Sequence, residues 1–318
     1  MAIVYNAPAR WHRDFRFDAV SLIDTPDHES QFVEAVGPAL HFGAVGAPRS
    51  TWLGPAWAAL CGIVASSAFA FDALDVLLAA FVFILVDWAW PAIWTSSVRT
   101  DWRAPFAHWR ETPAPARSPD LPYLQPGSPA ARLLGWGSRA VGWSRSYFAP
   151  VAGQSAASLF VALIVGLALS AAIGWRAAAL TLAALAVTGI GAWRAMRAAL
   201  DSDWLRSIVY VALPWCLGHA AFAPPTVESA LMGILFGLAY RALIESGERA
   251  PSPFGLIAPQ AVGALALFAG DQPAAAFVVV LAVVAQAALR TFLAEHAFAR
   301  RAQVWLMLAM ATCAVAVA

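Results

Sequence analysis

The stretch ALDVLLAAFVFILVDWAWPAIWTSSVRTDW, residues 73–102, decides the fold class. From residue 76 to residue 94 it is apolar or aromatic apart from one charged side chain, Asp87. A run of about 20 such residues has the length that a helix needs to cross a hydrocarbon core of about 30 Å. The run then gives way to a polar segment with Arg99 and Asp101. Residues 74–94 are therefore predicted to span a membrane and to end at its polar surface.

The rest of the chain repeats this pattern. Of its 318 residues, 61% are hydrophobic and 12% are charged, which is about half the charged fraction of a typical soluble domain. We predict an all-α polytopic membrane protein with nine spans, near residues 52–70, 74–94, 156–174, 177–193, 204–222, 226–244, 255–269, 273–290 and 302–318. The seventh of these is the shortest. The lipid bilayer is the expected partner, and no nucleic-acid partner is expected.

The arginines predict how the chain is oriented. All twenty basic residues are arginine, and they alternate between loops: residues 1–50 hold four, the next turn none and residues 97–152 seven. Because positive charge is retained on the cytoplasmic side, we expect a cytoplasmic N-terminus in the inner membrane of a cell. The chain then divides into a cytoplasmic segment, residues 1–50, and a transmembrane domain, residues 51–318, with a long cytoplasmic loop at 97–152.

Part of that loop, SPAARLLGWGSRAVGWSRSYF at residues 128–148, has a helical pattern. Leu134, Val141 and Phe148 recur at intervals of seven, with arginines between them. This spacing is typical of an amphipathic helix that lies along the membrane surface. The alternative is an ordinary connecting loop.

Ionisable residues inside the spans are functional candidates, because a charged group in lipid is costly. Asp87 either pairs with a neighbouring helix or faces a cavity. His219 follows Pro214 in the fifth span, and it either forms a hydrogen bond across helices or ligates the metal of a pigment. Asp72 and Asp75 lie in a short turn and are expected to cap a helix.

Two loops on the predicted cytoplasmic side carry acids beside arginines. They are TDWRAPFAHWRE at residues 100–111 and ESGERAP at residues 245–251. Paired acidic loops can hold Mg²⁺, which takes oxygen ligands and bridges to phosphate groups. The same residues can equally be ordinary charges at the ends of helices.

Five segments, in order along the chain, resemble the UbiA superfamily of intramembrane prenyltransferases, and most closely its chlorophyll and bacteriochlorophyll synthase branch. They are STWLGPAWAALCGIVAS (50–66), TSSVRTDW (95–102), SPDLPYLQPG (118–127), DWLRSIVYVALPWCLGHAAF (203–222) and SGERA (246–250). The resemblance implies a helical bundle around a central cavity that accepts an isoprenoid diphosphate and a tetrapyrrole pigment.

The resemblance also implies which residues form the site. Asp101 would be catalytic, and Asp101 and Glu248 would be the ligands of Mg²⁺, facing one another at the cytoplasmic mouth of the cavity. The substrate would be bound by Thr100, Trp102, Arg103, His108, Tyr210, Trp215, His219, Arg241 and Arg249.

The acidic motifs of that family are eroded in this chain. Ala104 and His108 stand at aspartate positions of the first motif, and Arg241 and Ser246 stand at acidic positions of the second. Because Mg²⁺ loses ligands and gains neighbouring positive charge, these replacements are expected to weaken its binding. They are also expected to slow prenyl transfer, which needs the charge of the leaving diphosphate to be neutralised.

We therefore predict a divergent, catalytically inactive homologue that binds an isoprenoid, a bacteriochlorophyll-type pigment or a carotenoid. Such a protein would be a subunit or assembly factor of a photosynthetic complex, with other photosynthetic membrane proteins as partners. One alternative is an active prenyltransferase that esterifies (bacterio)chlorophyllide with geranylgeranyl or phytyl diphosphate. Another is a transporter or structural membrane subunit unrelated to prenyl transfer.

Overall fold

The computed structural model describes residues 53–110, 112, 128–197, 203–245, 253–293 and 295–318. Helices account for 88% of these residues, and no strand occurs among them. The predicted all-α fold is therefore confirmed. Residues 1–50, predicted to form a cytoplasmic segment, lie outside the described residues.

Nine longer helices and one short helix, α3, make up this described part. Their bounds are α1 Pro55–Ala65; α2 Ala73–Ile84, continued by Leu85–Ala89 and Trp90–Val98; α3 Arg103–Ala107; α4 Pro129–Trp143, continued by Ser144–Gly153 and Gln154–Ile173; α5 Trp175–Met196; α6 Asp203–Ser207, continued by Ile208–Ala212 and Leu213–Phe222; α7 Val227–Glu245; α8 Pro253–Ala269; α9 Pro273–Phe292; and α10 Glu295–Val317.

Each of the nine predicted spans overlaps one of the nine longer helices, although α1 is shorter and α4 much longer than the predicted span. Six helical segments are long and apolar enough to cross a membrane: α2 with α3, α4, α5, α6, α7 and α9. Helices α1 and α8 are apolar but shorter, and α10 is not among the six. Helix α1 is shorter than predicted because the chain turns after Ala65, where Ser67 adopts a left-handed backbone with φ of 52°.

Helix α1 packs closely against α6 through a reciprocal pair of glycines. A Cβ atom on Gly62 would collide with the backbone carbonyl of Trp215, and one on Gly218 would collide with the carbonyl of Ala59. Small residues at such contacts let two helix backbones approach closely, which is how membrane helices gain packing energy in lipid. The resemblance segments at residues 50–66 and 203–222 therefore meet in the fold.

Buried amides join the last helices to the bundle. Gln260 on α8 and Gln286 on α9 exchange two hydrogen bonds, with N–O distances of 2.8 and 3.1 Å. On α10, the side-chain oxygen of Gln303 accepts a hydrogen bond from the backbone N–H of Leu53 at 3.2 Å. All three amides are buried, so their partners satisfy polar groups that water cannot reach.

The helical interpretation of residues 128–148 is confirmed. Helix α4 begins at Pro129, where the Ser128 hydroxyl accepts a hydrogen bond from the N–H of Ala131. The helix then continues through a π-helical segment into the third predicted span, ending at Ile173. No residue of Pro129–Trp143 is buried. Whether this part lies along the membrane surface stays a prediction.

The predicted caps are also confirmed. The Asp72 carboxylate accepts a hydrogen bond from the N–H of Asp75 at the start of α2, and Asp75 accepts one from the N–H of Ala70. Both carboxylates thus pair backbone donors at a helix start, as acidic N-terminal residues commonly do.

Candidate functional site

A polar pocket lies where α2 ends and α4 passes beside it. The pocket has a volume of about 380 Å³ and is lined by Thr95, Ser96, Arg99, Thr100, Asp101, Val151 and Ser155. We call it the Arg99 pocket. Its walls supply one guanidinium, one carboxylate and four hydroxyl groups, a set that suits a polar or anionic group more than an apolar one.

Asp101 forms a cap at the edge of this pocket. Its Oδ1 atom accepts hydrogen bonds from the backbone N–H groups of Arg103 and Ala104, at 3.0 and 3.2 Å. These are donors of the first turn of α3, so Asp101 performs the role of a helix-capping aspartate. A capping role therefore accounts for Asp101 in the described part of the chain.

An aromatic cluster holds α3 against α4. The indole N–H of Trp143 donates to the carbonyl of Pro105 at 2.7 Å, and the His108 ring stacks on Tyr147 with 4.8 Å between ring centres. Further ring contacts join Trp102 to Phe148, Phe106 to Trp143, Trp109 to Trp136 and Trp143, and Trp143 to Phe148. Two predicted substrate-binding residues, Trp102 and His108, thus have packing partners of their own.

A second group of polar side chains surrounds Tyr210, which is buried, whereas Asp87 and Arg206 are half-buried and Arg99 is exposed. Arg206 hydrogen-bonds the Tyr210 hydroxyl, and its guanidinium carbon lies 5.3 Å from the centre of the Tyr210 ring. Arg99 and Asp87 also act electrostatically on that hydroxyl. Tyr240 on α7 lies within electrostatic range of both Arg206 and Tyr210. We call these five residues the Tyr210 cluster, and Arg99 connects it to the Arg99 pocket.

Two π-helical turns position this cluster. Asp87 is the middle residue of the turn Leu85–Ala89, and Tyr210 is the middle residue of Ile208–Ala212. In each turn the backbone N–H after the last residue donates to the carbonyl of the first, five residues earlier. Such turns are rare within helices and are frequent at functional sites.

A proline explains each π-helical turn. Pro91 and Pro214 lie four residues after Asp87 and Tyr210, so neither position offers the N–H that an α-helix would pair with those carbonyls. The segments VDWAWP and VYVALP, at residues 86–91 and 209–214, share the pattern V-x-x-A-x-P. This shared pattern is a sequence signal that could have located the two turns, although our sequence analysis did not use it. Nothing comparable marked Arg206 or Tyr240, which the sequence reasoning missed.

His219 belongs to a separate, closed network. Its Nε2 atom lies 3.1 Å from the carbonyl of Pro224 and its Nδ1 atom 2.9 Å from the hydroxyl of Ser229. Because a carbonyl only accepts, Nε2 carries a proton, and in the neutral imidazole Nδ1 then accepts from the Ser229 hydroxyl. The Trp215 indole N–H donates to the same hydroxyl at 3.0 Å. The predicted hydrogen bond across helices is therefore present, and both nitrogens that could ligate a pigment metal are engaged.

Five of the predicted site residues fall into three places. Thr100 and Asp101 line the Arg99 pocket, Tyr210 forms the centre of its cluster, and Trp215 and His219 lie in the network with Ser229. Arg103 is exposed at the start of α3, and Arg241 is half-buried on α7. Glu248 and Arg249 lie outside the described residues, so the expected approach of Glu248 to Asp101 stays a prediction.

The Arg99 pocket does not suit Mg²⁺ with the ligands that the structure describes. It offers one carboxylate, of which one oxygen already accepts two backbone hydrogen bonds, beside the positive charge of Arg99. Mg²⁺ requires oxygen ligands and is usually held by carboxylates together with phosphate oxygens. Across the described residues, no three His, Cys, Asp or Glu side chains come together as a metal site.

A second cavity is apolar. It has a volume of about 420 Å³, lies between α1 and α2, and is lined by Leu60, Ile63, Val64, Ser67, Phe69, Phe71, Ala79 and Phe83. Its walls would accept a hydrocarbon chain.

These features define a helical membrane protein with a polar pocket, and with a polar cluster around the buried Tyr210 and Tyr240, where α2 ends and α6 begins. Comparisons with protein-family models, with curated proteins and with solved structures find no match.

Proposed function

We propose that this protein is a divergent, catalytically inactive relative of (bacterio)chlorophyll synthases of the UbiA superfamily. It binds an isoprenoid or a (bacterio)chlorophyll-type pigment in the membrane and acts as a subunit or assembly factor of a photosynthetic complex. The apolar helices surround the tail of the ligand, and polar side chains at the ends of α2 and α7 receive its head.

The composition of the Arg99 pocket carries this proposal. An enzyme that ionises a prenyl diphosphate must neutralise the negative charge of the departing diphosphate. Prenyltransferases of the UbiA superfamily achieve this with metal ions and basic residues. Here Arg99 and the hydroxyls of Thr95, Thr100 and Ser155 can bind a polar head group, but a single carboxylate is present with them. The pocket therefore has the groups for binding and lacks a metal cradle among its lining residues.

A second candidate function is prenyl transfer itself. The exposed carboxylate of Asp101 borders the same pocket as Arg99, and arginines can bind a diphosphate directly. In that case Asp101 would orient the substrate that Arg99 holds.

Purification in mild detergent, followed by an absorbance spectrum and pigment extraction, tests the binding function. We expect a co-purifying bacteriochlorophyll, carotenoid or isoprenoid. A protein that carries none of these, from cells that make them, would contradict the proposal and favour a transporter or a structural subunit.

A single-turnover assay separates binding from catalysis. Purified protein is mixed with (bacterio)chlorophyllide, geranylgeranyl or phytyl diphosphate, and Mg²⁺, and esterified pigment is measured. We expect no product. The inactive assignment fails if product forms, is lost in Asp101→Asn and persists in Asp271→Asn, a matched change at an exposed aspartate between α8 and α9.

A further inference from the structure

One half of the first part of α4 is apolar and uncovered in the described structure. No residue of Pro129–Trp143 is buried. Four large apolar side chains of this segment are 46–71% exposed: Leu133, Leu134, Trp136 and Val141. Because successive residues of a helix are turned by about 100°, these four lie in one half of the helix, whereas Arg132 and Arg139 lie in the other. Exposed apolar area beside polar residues marks a surface that binds a protein or a membrane.

This surface lies where two helices leave their predicted spans. Helix α3 begins at Arg103, five residues after α2 ends at Val98, and the indole N–H of Trp143 donates to the carbonyl of Pro105 within α3. Beyond Trp143, α4 continues without interruption into the predicted span that ends at Ile173. Lipid is therefore the nearest material that can cover the apolar half of α4.

Positive charge accumulates on the same two helices. The described part of residues 101–153 contains five arginines and a single acid, Asp101, whose carboxylate caps backbone N–H groups of α3. The five are Arg103, Arg110, Arg132, Arg139 and Arg145. Within the described chain, no acidic side chain pairs with any of them. Basic clusters of this size beside a membrane span attract anionic lipids, each arginine adding to the attraction.

We propose that α3 and the first part of α4 form a binding surface for anionic phospholipids at the cytoplasmic face of the membrane. The apolar half of α4 lies among the upper parts of the acyl chains, and the arginines bind the phosphate groups above them. A guanidinium presents N–H donors in a planar fork that matches phosphate oxygens. Helices with a basic polar face and an apolar face with tryptophan bind membranes by buried apolar area together with attraction to anionic lipid.

The aromatic cluster between α3 and α4 gives this surface its shape. The rings of Phe106 and Trp109 contact Trp143, and Trp109 also contacts Trp136. These contacts join the arginines of the two helices into one basic surface, and Phe106 and Trp136 remain 58 and 64% exposed. Tryptophan rings are typical of the depth where head groups meet acyl chains. The inference does not depend on the proposed function, because it involves neither a pigment nor the Arg99 pocket.

The position of α4 is tested on full-length protein in nanodiscs of phosphatidylglycerol and phosphatidylcholine. A nitroxide probe is attached at Leu134→Cys, in the apolar half, or at the control Ser138→Cys, an exposed site in the other half of the same helix. Collisions are measured with oxygen, which concentrates in lipid, and with a neutral nickel chelate, which stays in water. Unmodified protein carried through the labelling corrects for reaction of the three native cysteines.

We expect the probe at Leu134→Cys to meet oxygen more than the chelate, and the probe at Ser138→Cys to show the reverse. The proposal is overturned if both probes meet the chelate equally, since the helix then lies in water. It is also overturned if the probe at Leu134→Cys is shielded from both reagents, because another segment or a protein partner then covers this face.

The lipid preference is tested by native mass spectrometry of the protein in detergent, titrated with phosphatidylglycerol or phosphatidylcholine of identical chains. We expect phosphatidylglycerol to bind about tenfold more tightly, and Arg132→Gln with Arg139→Gln to abolish most of this preference. The charge-matched control, Arg176→Gln with Arg290→Gln, removes two arginines from α5 and α9 and should retain it. Neither Arg132 nor Arg139 is buried, so both variants should fold, which a thermal melt verifies. Equal binding of the two lipids, or equal losses in the two variants, would refute recognition by this surface.

Discussion

Asp87 and Tyr210 occupy equivalent positions in two helices: each is the centre of a π-helical turn, and each lies four residues before a proline. The carboxylate of Asp87 acts electrostatically on the Tyr210 hydroxyl, so the two turns lie near each other in the bundle. Prolines are tolerated in membrane helices where local π-helical adjustments and neighbouring helices pair the freed backbone groups. The pair thus marks the place where two spans depart from regular geometry around polar side chains.

Two tyrosine substitutions in the cluster should have different effects on the free energy of unfolding. Tyr210→Phe removes the hydroxyl that Arg206 bonds, and we expect the free energy of unfolding to fall by about 1–2 kcal/mol. Tyr240→Phe removes a hydroxyl without a partner in the described residues and should leave that free energy unchanged or raise it slightly. Unfolding in mixed micelles with increasing SDS measures both. Equal losses in the two variants would argue against this description of the cluster.

The contact between α1 and α6 should not tolerate added methyl groups. Gly62→Ala and Gly218→Ala each place a Cβ against backbone of the other helix, and we expect a loss of about 2 kcal/mol or more because backbone cannot move aside as a side chain does. Gly189→Ala on α5 is the control, since nothing lies within 4 Å of its added Cβ. Thermal denaturation in detergent compares the three variants. Similar melting temperatures for all would refute the close approach.

The two amides that join α8 and α9 should show coupling. Gln260→Leu and Gln286→Leu, made singly, each leave the remaining buried amide without its partner across the helices. We expect each to destabilise by about 1 kcal/mol, and the double variant to lose less than the sum of the two, since interhelical hydrogen bonds in membranes are worth about 0.6–1.7 kcal/mol. Strictly additive losses would show that the two amides do not interact.

The network around His219 should depend on Ser229. Ser229→Ala removes the acceptor of the Trp215 indole N–H and the donor to His219, and we expect the free energy of unfolding to fall by about 1–3 kcal/mol. Ser138→Ala is a suitable control because the Ser138 hydroxyl is exposed and bonds only carbonyls of its own helix. No difference between the two variants would mean that the network contributes nothing to stability.

The orientation predicted from the arginines is open to a direct test. A reporter that is active only outside the cytoplasm should give signal when fused after Ala318 and none when inserted within residues 113–127. This follows from the retention of positively charged loops on the cytoplasmic side. The reverse pattern would invert the protein and place the Arg99 pocket on the other side of the membrane.

The sequence predicted the helices well and the site only in part. Apolar runs predict spans because a helix is the only single element that satisfies its own backbone in lipid, and each of the nine runs corresponds to a helix. The prediction of helix ends was wrong for α1, which was expected to reach residue 70 and ends at Ala65. The backbone turns at Ser67, and hydropathy does not report such a local change of direction. Thr100 and Asp101 do line one pocket, but Arg206 and Tyr240 were missed because no pattern in the chain connects them.

By itself, then, the sequence determined which residues form the apolar helices and where Pro91 and Pro214 produce π-helical turns in α2 and α6. Both features depend on residues that are near one another in the chain. The tertiary structure decided which side chains meet. It gave Asp101 the backbone donors of α3 and closed the Trp215, Ser229 and His219 network. It also left the Tyr240 hydroxyl, within electrostatic range of Arg206, without a hydrogen-bond partner among the described residues. Such pairings depend on how helices far apart in the chain are rotated and how deep each lies in the bundle. A hydrogen bond requires its two heavy atoms to lie within about 3 Å of each other. A shift of one residue along a helix turns a side chain by about 100° around the helix axis, so it removes such a contact.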